Sequence, residues 1–268
     1  PTLSIEIPDK ELNEKLRVHE FAEGEIRPSR SSYNRLSPFS SEVKKLIKLL
    51  YEDLAVHSQI QGVLFQDDAY LTDREDYHPA ALSKYESLSK GKIQPDEFKN
   101  NPELNNKWAR YKTEALIDFT VSIMDEVRRY RPDALFGRNL YSIVLTEPES
   151  EMWFAQDYEI FLKTYDEVVV MAYPQMEKVK NQSEWLEGLV EKAKGFPDGI
   201  EKTVFKIQAY DWANRSWVED ELLLEEMRDI LSSGGRHIAY YPDNLWMDKP
   251  DNKKIRLEMS TKTYPFIP

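Results

Sequence analysis

Two adjacent aspartates, Asp67 and Asp68, come directly after the apolar segment 62–66. Hydrolysis of a glycosidic bond needs a carboxylic acid to protonate the leaving oxygen. It also needs a base, a nucleophile or the substrate's own acetamido group at the anomeric carbon. Two adjacent carboxylates that share one site can raise each other's proton affinity, which would keep one of them protonated near neutral pH. The pair therefore predicts acid catalysis at the end of a strand.

The same pair also has a structural interpretation, in which one carboxylate caps the following turn and the other pairs with Arg74. Consecutive strand residues point to opposite faces of a sheet, so both side chains reach one cleft only where the strand bends. Simple alternation slightly favours Asp68 as the residue that faces inward. We therefore expect one aspartate to transfer the proton while its neighbour orients or tunes it.

Polar and aromatic residues also follow most of the other strand-like segments, where the active sites of (β/α) barrels are built. Aromatic side chains offer flat apolar platforms to sugar rings, and carboxylates attract cationic amino sugars. A single strand-end acid is more often a cap or an ion-pair partner, and a single loop aromatic more often packs. The candidate substrate-binding residues are Tyr33, His78, Asn139, Tyr141, Glu147, Trp153, Tyr173, Asp211, Trp212, Asp243 and Trp246.

The four histidines, His19, His57, His78 and His237, are far apart and form neither His-x-x-His nor His-Glu-x-x-His. We therefore expect neither a metal site nor a cofactor in this chain. Only His78, in the segment 76–79, is kept as a candidate for function. The sequence contains no cysteine and no Gly-x-Ser-x-Gly elbow, which excludes thiol catalysis and gives no support to a serine hydrolase.

Composition narrows the choice of partner. The chain has 268 residues and a formal net charge of -12, with a pI near 5.0. Bulk electrostatic attraction to nucleic acid or to an anionic membrane is therefore excluded, and a neutral or cationic ligand fits better. No apolar run approaches the roughly 18 residues that a membrane span requires.

Six β-prone segments alternate with helical patterns along the chain. The predicted strands are 3–7, 62–66, 134–141, 167–173, 204–210 and 237–241. The predicted helices are 42–56, 107–130, 151–163, one opened by Ser183 and closed by Gly195, and one opened by a capping box at 216–219 and ended by Gly234. Trp108 and Trp185 lie on two of these helices and are expected in the core.

Repeated strand–helix alternation predicts an α/β protein with a parallel sheet. A doubly wound sheet is the alternative, but no Gly-x-Gly-x-x-Gly loop follows any strand. We predict a (β/α) TIM-type barrel, as one domain over residues 1–268 that is incomplete at its N-terminus. The long excursions 8–40 and 67–106 are expected to shape its binding cleft.

The string Gly62-Val63-Leu64-Phe65-Gln66-Asp67-Asp68-Ala69, with its continuation through 73–79, resembles a known family. So do the segments 136–141, 171–174 and 240–244. The family is the C-terminal glycoside hydrolase domain of the poly-β-1,6-N-acetyl-D-glucosamine N-deacetylases of bacterial biofilms, and the resemblance covers essentially the whole chain. It implies that Asp67 and Asp68 match the family's catalytic acids, which makes Asp67 at least as strong a candidate as Asp68. Tyr33 and Trp153 resemble the aromatic residues of the family's groove.

The resemblance also implies a setting for the chain. It implies an electronegative groove that binds partly deacetylated polymer, in a periplasmic lipoprotein tethered to the outer membrane through an N-terminus absent from this chain. Its implied partners are the polysaccharide, an N-terminal metal-dependent deacetylase domain and an outer-membrane export porin. The chain itself is expected to be a piece of this longer protein.

Two classes of function remain open from the sequence. The first is an endo-acting β-1,6-glucosaminidase that hydrolyses partly de-N-acetylated poly-β-1,6-N-acetylglucosamine. The second is a non-catalytic binding module, in which the acids only contact glucosamine ammonium groups while the polymer passes to the deacetylase domain and the porin. Deacetylation by these residues themselves is not expected, because the metal ligands it needs are missing.

Overall fold

The computed structural model describes residues 2–30, 33–89 and 95–259. The chain divides into two compact units, which are described separately below. The first comprises Pro1–Arg138 with Pro148–Asp157, and the second comprises Asn139–Glu147 with Tyr158–Pro268. None of the helices in the described part of the chain is both long enough and apolar enough to cross a bilayer.

The first unit carries most of the helical mass around one parallel strand pair. Its helices are α1 (Lys10–Leu16), α2 (Ser41–His57), α3 (Pro79–Ser89), α4 (Pro95–Asn100), α5 (Pro102–Arg128) and, after a 3-10 turn at Pro148–Ser150, α7 (Glu151–Phe154). Its strands are β1 (His19–Ala22), β2 (Glu25–Pro28), β3 (Gly62–Phe65) and the first residues of β4 (Leu135–Tyr141). Strands β3 and β4 pair in parallel, with Gly62 opposite Leu135 and Phe65 opposite Arg138.

Local sequence explains how α2 and α5 begin. The Ser40 hydroxyl accepts the Val43 N–H at the start of α2, and the Asn101 side chain accepts the Leu104 N–H before α5. Each helix then buries one apolar stripe, with Ile47 of α2 and Ile123 of α5 fully inaccessible. The helix predicted over 42–56 is thereby confirmed as α2.

The second unit contains the last residues of β4 and the remaining strands. Its strands are β5 (Glu167–Ala172), β6 (Thr203–Gln208), the short pair β7 (Tyr210–Asp211) and β8 (Ser216–Trp217), and β9 (His237–Tyr241). Its helices are α6 (Ser142–Thr146), α8 (Tyr158–Thr164), α9 (Gln182–Lys194), α10 (Gly199–Lys202), α11 (Asp220–Ser232) and α12 (Asn252–Met259). The sheet order is β4-β5-β6-β9, and β6 pairs in parallel with both β5 and β9.

The parallel α/β prediction is confirmed by these strands. Every residue of β6 is buried, and β5 is buried from Val168 onward. A parallel strand with helices on its face must be apolar along most of its length, which is the pattern that the sequence showed. Strand β9 differs, because His237 is exposed and the rest of the strand is only half-buried or exposed.

The segment 3–7 was wrongly predicted as a strand. It is irregular, and the N–H groups of Thr2, Leu3 and Ser4 all donate to the Asp68 carboxylate. Because those donors are taken by a side chain, residues 2–4 have none left for a sheet ladder.

Three predicted helix boundaries were also wrong. Ser216 and Trp217 pair with β7 as the strand β8, so the capping box does not form and α11 begins at Asp220. The helix predicted over 151–163 is interrupted at Ala155, whose left-handed φ of 50° ends α7. The Asn181 side chain, not Ser183, caps α9.

Candidate active site

Asp67 follows β3 and is half-buried, with one carboxylate oxygen oriented by Tyr33. The Tyr33 hydroxyl donates to Asp67 Oδ2 at 3.0 Å. Burial and the neighbouring Asp67 and Asp68 charges raise the pKa of Tyr33, so the phenol remains a hydrogen-bond donor. Tyr33 is itself 36% exposed, which leaves its ring available to a ligand.

Asp68 occupies a different environment. It is only 3% exposed, and its Oδ2 accepts N–H groups from Thr2, Leu3 and Ser4 at 2.8, 2.7 and 2.7 Å. Thr2 N–H also contacts Oδ1 at 3.0 Å. Several N–H donors on one carboxylate form a strong charge-assisted arrangement. This carboxylate anchors the N-terminal segment to the end of β3.

We expect Asp68→Asn to lower the free energy of unfolding by about 2–3 kcal/mol, the typical worth of hydrogen bonds to a charged group. The amide removes the charge and turns a donor NH₂ toward the Thr2 N–H. Chemical denaturation measures the change, with Asp53→Asn on the exposed side of α2 as the control. A midpoint equal to that of the control would rule out the anchoring role.

The loop that contains both aspartates, residues 67–76, is held by three buried cations. Arg138 donates to the carbonyl of Ala69 and Arg35 donates to the carbonyl of Tyr70. Lys112 Nζ donates to the carbonyls of Thr72 and Glu75 at 2.5 and 2.7 Å. Burial lowers the pKa of Lys112 to about 8, against the opposing charge of Glu75. Side chains from β4, from α5 and from the N-terminal excursion 8–40 thus hold the main-chain carbonyls of this loop in place.

Two carboxylates of the same loop balance these cations. Arg35 Nη2 donates to Glu75 Oε1 at 2.8 Å and to Glu75 Oε2 at 2.9 Å. The Ser29 hydroxyl also donates to Glu75 Oε1. Although burial raises the pKa of Glu75, the Arg35 charge and these hydrogen bonds outweigh it and the net pKa is lowered. Asp76 accepts from Ser37 Oγ and from the backbone N–H of His19 at 2.5 and 2.9 Å. The loop is therefore preorganised, as a catalytic group requires.

His78 serves this scaffold through both ring nitrogens. Its Nδ1 accepts the Ala80 N–H at 3.1 Å, so Nε2 carries the proton and donates to the Lys15 carbonyl at 3.1 Å. Burial lowers the pKa of His78, which keeps this neutral tautomer. The geometry favours a structural role, and substrate binding by His78 stays a prediction.

The other candidates in the first unit are aromatic. Tyr70 lies against Tyr33 and Phe154, with ring centroids 6.3 and 6.4 Å apart. The Phe154 carbonyl accepts the Leu71 N–H at 3.3 Å, which joins α7 to the loop. Trp153, the neighbour of Phe154 on α7, is 41% exposed. Trp153 and Tyr33 thus present accessible rings on elements that contact the Asp67 loop.

The second unit holds a separate aromatic group. Trp212 stacks on Tyr241 at 6.2 Å with 24° between the ring planes, and lies 5.8 Å from Tyr173. Trp212 and Tyr241 are 41% and 54% exposed, whereas Tyr173 is buried. A stacked, accessible ring pair of this kind fits the flat face of a sugar. Tyr241 was predicted only as part of a strand.

Lys206 is a further member of this group that the sequence analysis missed. Its Nζ donates to Asn139 Oδ1 at 3.0 Å and lies 5.7 Å from the ring centroids of both Tyr173 and Tyr241. Lys206 is 6% exposed and Asn139 is fully buried. A lysine in the middle of the apolar strand 204–209 was the signal that could have identified it.

The remaining candidates have varied surroundings. Asp211 accepts the N–H groups of Ala213 and Asn214, and hydrogen bonds with Asn214 lower its pKa, so it closes the β7–β8 turn. Tyr141 is half-buried at the start of α6. The exposed candidates are Glu147, Asp243 and Trp246. Among the described residues no cluster of His, Asp and Glu could hold a metal ion.

The tryptophans expected in the core differ from each other. Trp108 is fully inaccessible, in an aromatic cluster with Tyr85 and Phe98, as predicted. Trp185 is only half-buried on α9, so its assignment to the core was wrong.

Parallel strands with intervening helices define this chain as a (β/α) protein of the TIM type. Its structure is similar to the PgaB (BpsB) glycoside hydrolase domain from Bordetella bronchiseptica, with a TM-score of 0.87 and 33% identity over 97% of this chain and 73% of that one. A β-galactosidase from the psychrophilic Marinomonas ef1 shares the fold alone, with a TM-score of 0.57 and 16% identity over 90% of this chain and 43% of that one.

Sequence comparison then shows the family. The chain belongs to hypothetical glycosyl hydrolase family 13, whose model matches residues 1–241. It is 38% identical over 240 residues to the poly-beta-1,6-N-acetyl-D-glucosamine N-deacetylase of Escherichia coli strain K12. That match covers 87% of this chain and 35% of the relative, so the chain spans about a third of the length of that protein. The family resemblance and the TIM-type fold are confirmed.

Proposed function

We propose that this chain is an endo-acting glycosidase that hydrolyses partly de-N-acetylated poly-β-1,6-N-acetylglucosamine. The observation that carries the proposal is Asp67, a half-buried carboxylate at a strand end, hydrogen-bonded to Tyr33 in a loop fixed by the buried Arg35–Glu75 ion pair and by Lys112. The substrate class comes from likeness to the Escherichia coli and Bordetella bronchiseptica proteins.

In this proposal Asp67 protonates the leaving oxygen as the glycosidic bond breaks, water adds to the anomeric carbon to form the new reducing end, and the proton that this water releases restores Asp67. The Tyr33 hydroxyl occupies its Oδ2, which fixes the carboxyl plane and leaves Oδ1 for the substrate. Asp68 does not supply a second catalytic carboxyl group, because its oxygens are engaged by the N–H groups of residues 2–4. Its role is to anchor the N-terminal segment beside β3.

Exposed rings supply the binding surfaces. Tyr33 and Trp153 in the first unit, and the stacked Trp212 and Tyr241 in the second, are proposed to contact sugar faces. Each unit thus offers two accessible aromatic rings for sugar residues of a polymer.

Replacing the proposed acid provides the first functional prediction. Asp67→Asn is expected to lower the rate of oligosaccharide release about 10²–10⁴-fold, the usual contribution of a positioned general acid. Binding of the polymer is expected to persist, because the aromatic rings are unchanged. Mass spectrometry of the products measures release, and isothermal titration with the same polymer measures binding.

Asp53→Asn is the matched control, since Asp53 is an exposed aspartate on α2 paired only with His57 in the described contacts. The control is expected to retain wild-type release. Equal activity of Asp67→Asn and Asp53→Asn would refute the role of Asp67.

A non-catalytic binding module is the second candidate function. It is favoured by one observation, that only one carboxylate of the Asp67–Asp68 pair is available to a ligand. In this alternative, Asp67 and the exposed Glu147 and Asp243 attract glucosamine ammonium groups without turnover. Binding that weakens steeply with salt, with no release of oligosaccharides by the wild type, would select it.

The proposed setting is the periplasm, at the outer membrane. The proposed partners are the polysaccharide, a deacetylase domain that modifies it and a porin that exports it. The name of the Escherichia coli relative supports the link to N-deacetylation. Fractionation of cells that express the full-length protein tests the compartment, and recovery in the cytoplasmic fraction would contradict it.

A further inference from the structure

The second unit contains a buried carboxyl–amide pair that joins α11 to the turn after β5. Glu226 of α11 is 1% exposed, and Gln175 Nε2 donates to its Oε1 at 2.6 Å. Among the described residues, Glu226 Oε2 and Gln175 Oε1 have no hydrogen-bond partner. A carboxylic acid can donate a second hydrogen bond to an amide oxygen, whereas a carboxylate can only accept. A proton on Glu226 therefore decides how firmly Gln175 is held.

The turn that carries Gln175, residues 173–179, is closed by its own backbone. The Tyr173 carbonyl accepts the Glu177 N–H at 3.0 Å. The Pro174 carbonyl accepts the Val179 N–H, also at 3.0 Å. Because these hydrogen bonds span the turn, its residues form one unit, and a displacement of Gln175 displaces its neighbours as well.

The same turn is connected to Trp212 by ring packing and by hydrogen bonds. Tyr173, its first residue, lies 5.8 Å from Trp212 between ring centroids. The Met176 N–H donates to Gln208 Oε1 at 2.9 Å, and Gln208 Nε2 donates to the Tyr210 carbonyl at 3.1 Å. The Tyr210 ring lies 6.0 Å from Trp212. The position of the Trp212 ring therefore depends on the position of the turn.

Ionisation of Glu226 disturbs this arrangement. Burial raises the pKa of Glu226 to about 7, although the hydrogen bond from Gln175 opposes the increase. A buried carboxylate with a single donor is costly, and admitting water relieves that cost. Water reaches the carboxylate only if Gln175 gives way. The neutral acid thus favours the turn as described, and the carboxylate favours a displaced turn.

The surrounding charges do not hold Glu226 in its ionised form. Asp229, on the same helix, acts in the same direction as burial, and Ser183 of α9 donates to Asp229 Oδ2 at 2.6 Å. In the described part of the chain, no charged group of the turn or of the elements packed against α11 forms an ion pair with Glu226. These groups include Glu177 and Lys178 of the turn, Lys192 of α9, Lys206 of β6, and Lys254 and Glu258 of α12.

We propose that Glu226 is a positioning residue, whose proton couples sugar binding at the Trp212–Tyr241 platform to pH by holding the turn 173–179 through Gln175. The platform is the stacked, exposed ring pair of the second unit. The inference rests on the proposed polysaccharide function and deepens it, because it makes the affinity of one sugar-binding surface dependent on a proton. By reciprocity, a sugar on the platform favours the protonated form of Glu226.

The test measures binding by isothermal titration from about pH 5.5 to about pH 8.5, on either side of the folded pKa of about 7. The probe is a β-1,6-linked N-acetylglucosamine hexamer, which has no amine and so does not itself titrate in this range. Glu226→Gln keeps a donor at every pH, and Gln175→Leu removes the connection from the turn side. Glu225→Gln, at an exposed position of the same helix, is the matched control. Trp212→Ala tests whether the effect belongs to the platform.

The affinity of the wild type is expected to fall about tenfold between the two pH limits, within the usual range of coupling between two sites. Glu226→Gln is expected to keep the low-pH affinity throughout, and Glu225→Gln to follow the wild type. Gln175→Leu is expected to bind weakly at every pH, and Trp212→Ala to lose the pH-dependent part of binding. Circular dichroism defines the pH range in which each variant is folded, and affinities are compared within it.

A wild-type affinity that does not change with pH overturns the inference, and so does a wild-type profile in Glu226→Gln or in Trp212→Ala. If Glu226→Gln does not fold, a wild-type profile in Gln175→Leu is the overturning result. Binding that depends on pH as expected, without new reducing ends, supports the inference and contradicts the hydrolase proposal. Hydrolysis with binding that is independent of pH contradicts the inference alone, and no binding at any pH contradicts both.

Discussion

Glu75→Gln is expected to lower the free energy of unfolding by about 3–5 kcal/mol, because it leaves Arg35 buried without its counter-charge. Arg35 and Glu75 are 1% exposed each, and Arg35 Nη2 contacts both Glu75 oxygens. The amide also keeps only one of two acceptors, since Glu75 Oε1 accepts from Ser29 Oγ and Oε2 accepts the Thr72 N–H. Urea denaturation followed by tryptophan fluorescence gives the change directly.

Glu103→Gln is the matched control, since Glu103 pairs with Lys107 on the exposed surface of α5. Surface pairs contribute little to stability, so its midpoint is expected to equal that of the wild type. The Glu75 contribution also depends on pH. Because the folded pKa of Glu75 is lowered, its stabilisation is present above the ordinary pKa and is lost as pH falls through the folded value. A Glu75→Gln midpoint at the control value would show that this pair does not hold the loop.

The second large effect is expected at Glu226 on α11. Protonation of this buried carboxyl group is expected to stabilise the folded chain. Burial raises the pKa of Glu226 to about 7. Gln175 Nε2 donates to Glu226 Oε1 at 2.6 Å. Among the described residues, neither Glu226 Oε2 nor Gln175 Oε1 has a hydrogen-bond partner. One proton on Oε2 supplies the donor that this pair of acceptors lacks.

The sign of the pH dependence follows from the raised pKa. The stabilisation is fully present below the unfolded pKa of about 4.5 and is lost as pH rises through the folded value of about 7. Across that window the loss is about 3–4 kcal/mol, since each pKa unit is worth about 1.4 kcal/mol. The free energy of unfolding of the wild type is therefore expected to decline between pH 5 and pH 8 on this account.

Glu226→Gln is expected to abolish that decline and to stabilise the chain above pH 7. An amide at position 226 donates through its own NH₂ at every pH, which satisfies Gln175 Oε1 without a proton. Glu225→Gln, on the exposed side of the same helix, is the control and is expected to keep the wild-type pH profile. Parallel pH profiles for Glu226→Gln and the wild type would disprove the assignment.

The parallel fold could be predicted because burial on both faces leaves a direct record in the sequence. The segments 167–173 and 204–210 are apolar along nearly their whole length, and they form β5 and β6. Segment 3–7 has similar local character, but its first N–H groups are taken by Asp68, which is more than 60 positions away. Local patterns do not contain that long-range contact.

The candidate site shows the same limit of local patterns. Strand-end position predicted a role for both Asp67 and Asp68, and alternation alone favoured Asp68 as the inward group, but the Asp68 oxygens accept the N–H groups of residues 2–4. The catalytic role of Asp67 stays a prediction. The burial of Arg35 and Lys112 was not predicted. An isolated charged residue in a sequence is normally expected on the solvent-exposed surface. Their burial becomes understandable only with the carbonyls that surround them.

The most direct test of the central claim is to incubate the isolated chain with partly de-N-acetylated poly-β-1,6-N-acetylglucosamine. New reducing ends and free acetate are measured together over time. The wild type is expected to generate reducing ends steadily while acetate stays at the background of the polymer alone, and Asp67→Asn is expected to generate almost none. A folded wild-type chain that binds the polymer and produces no new reducing ends would contradict the account.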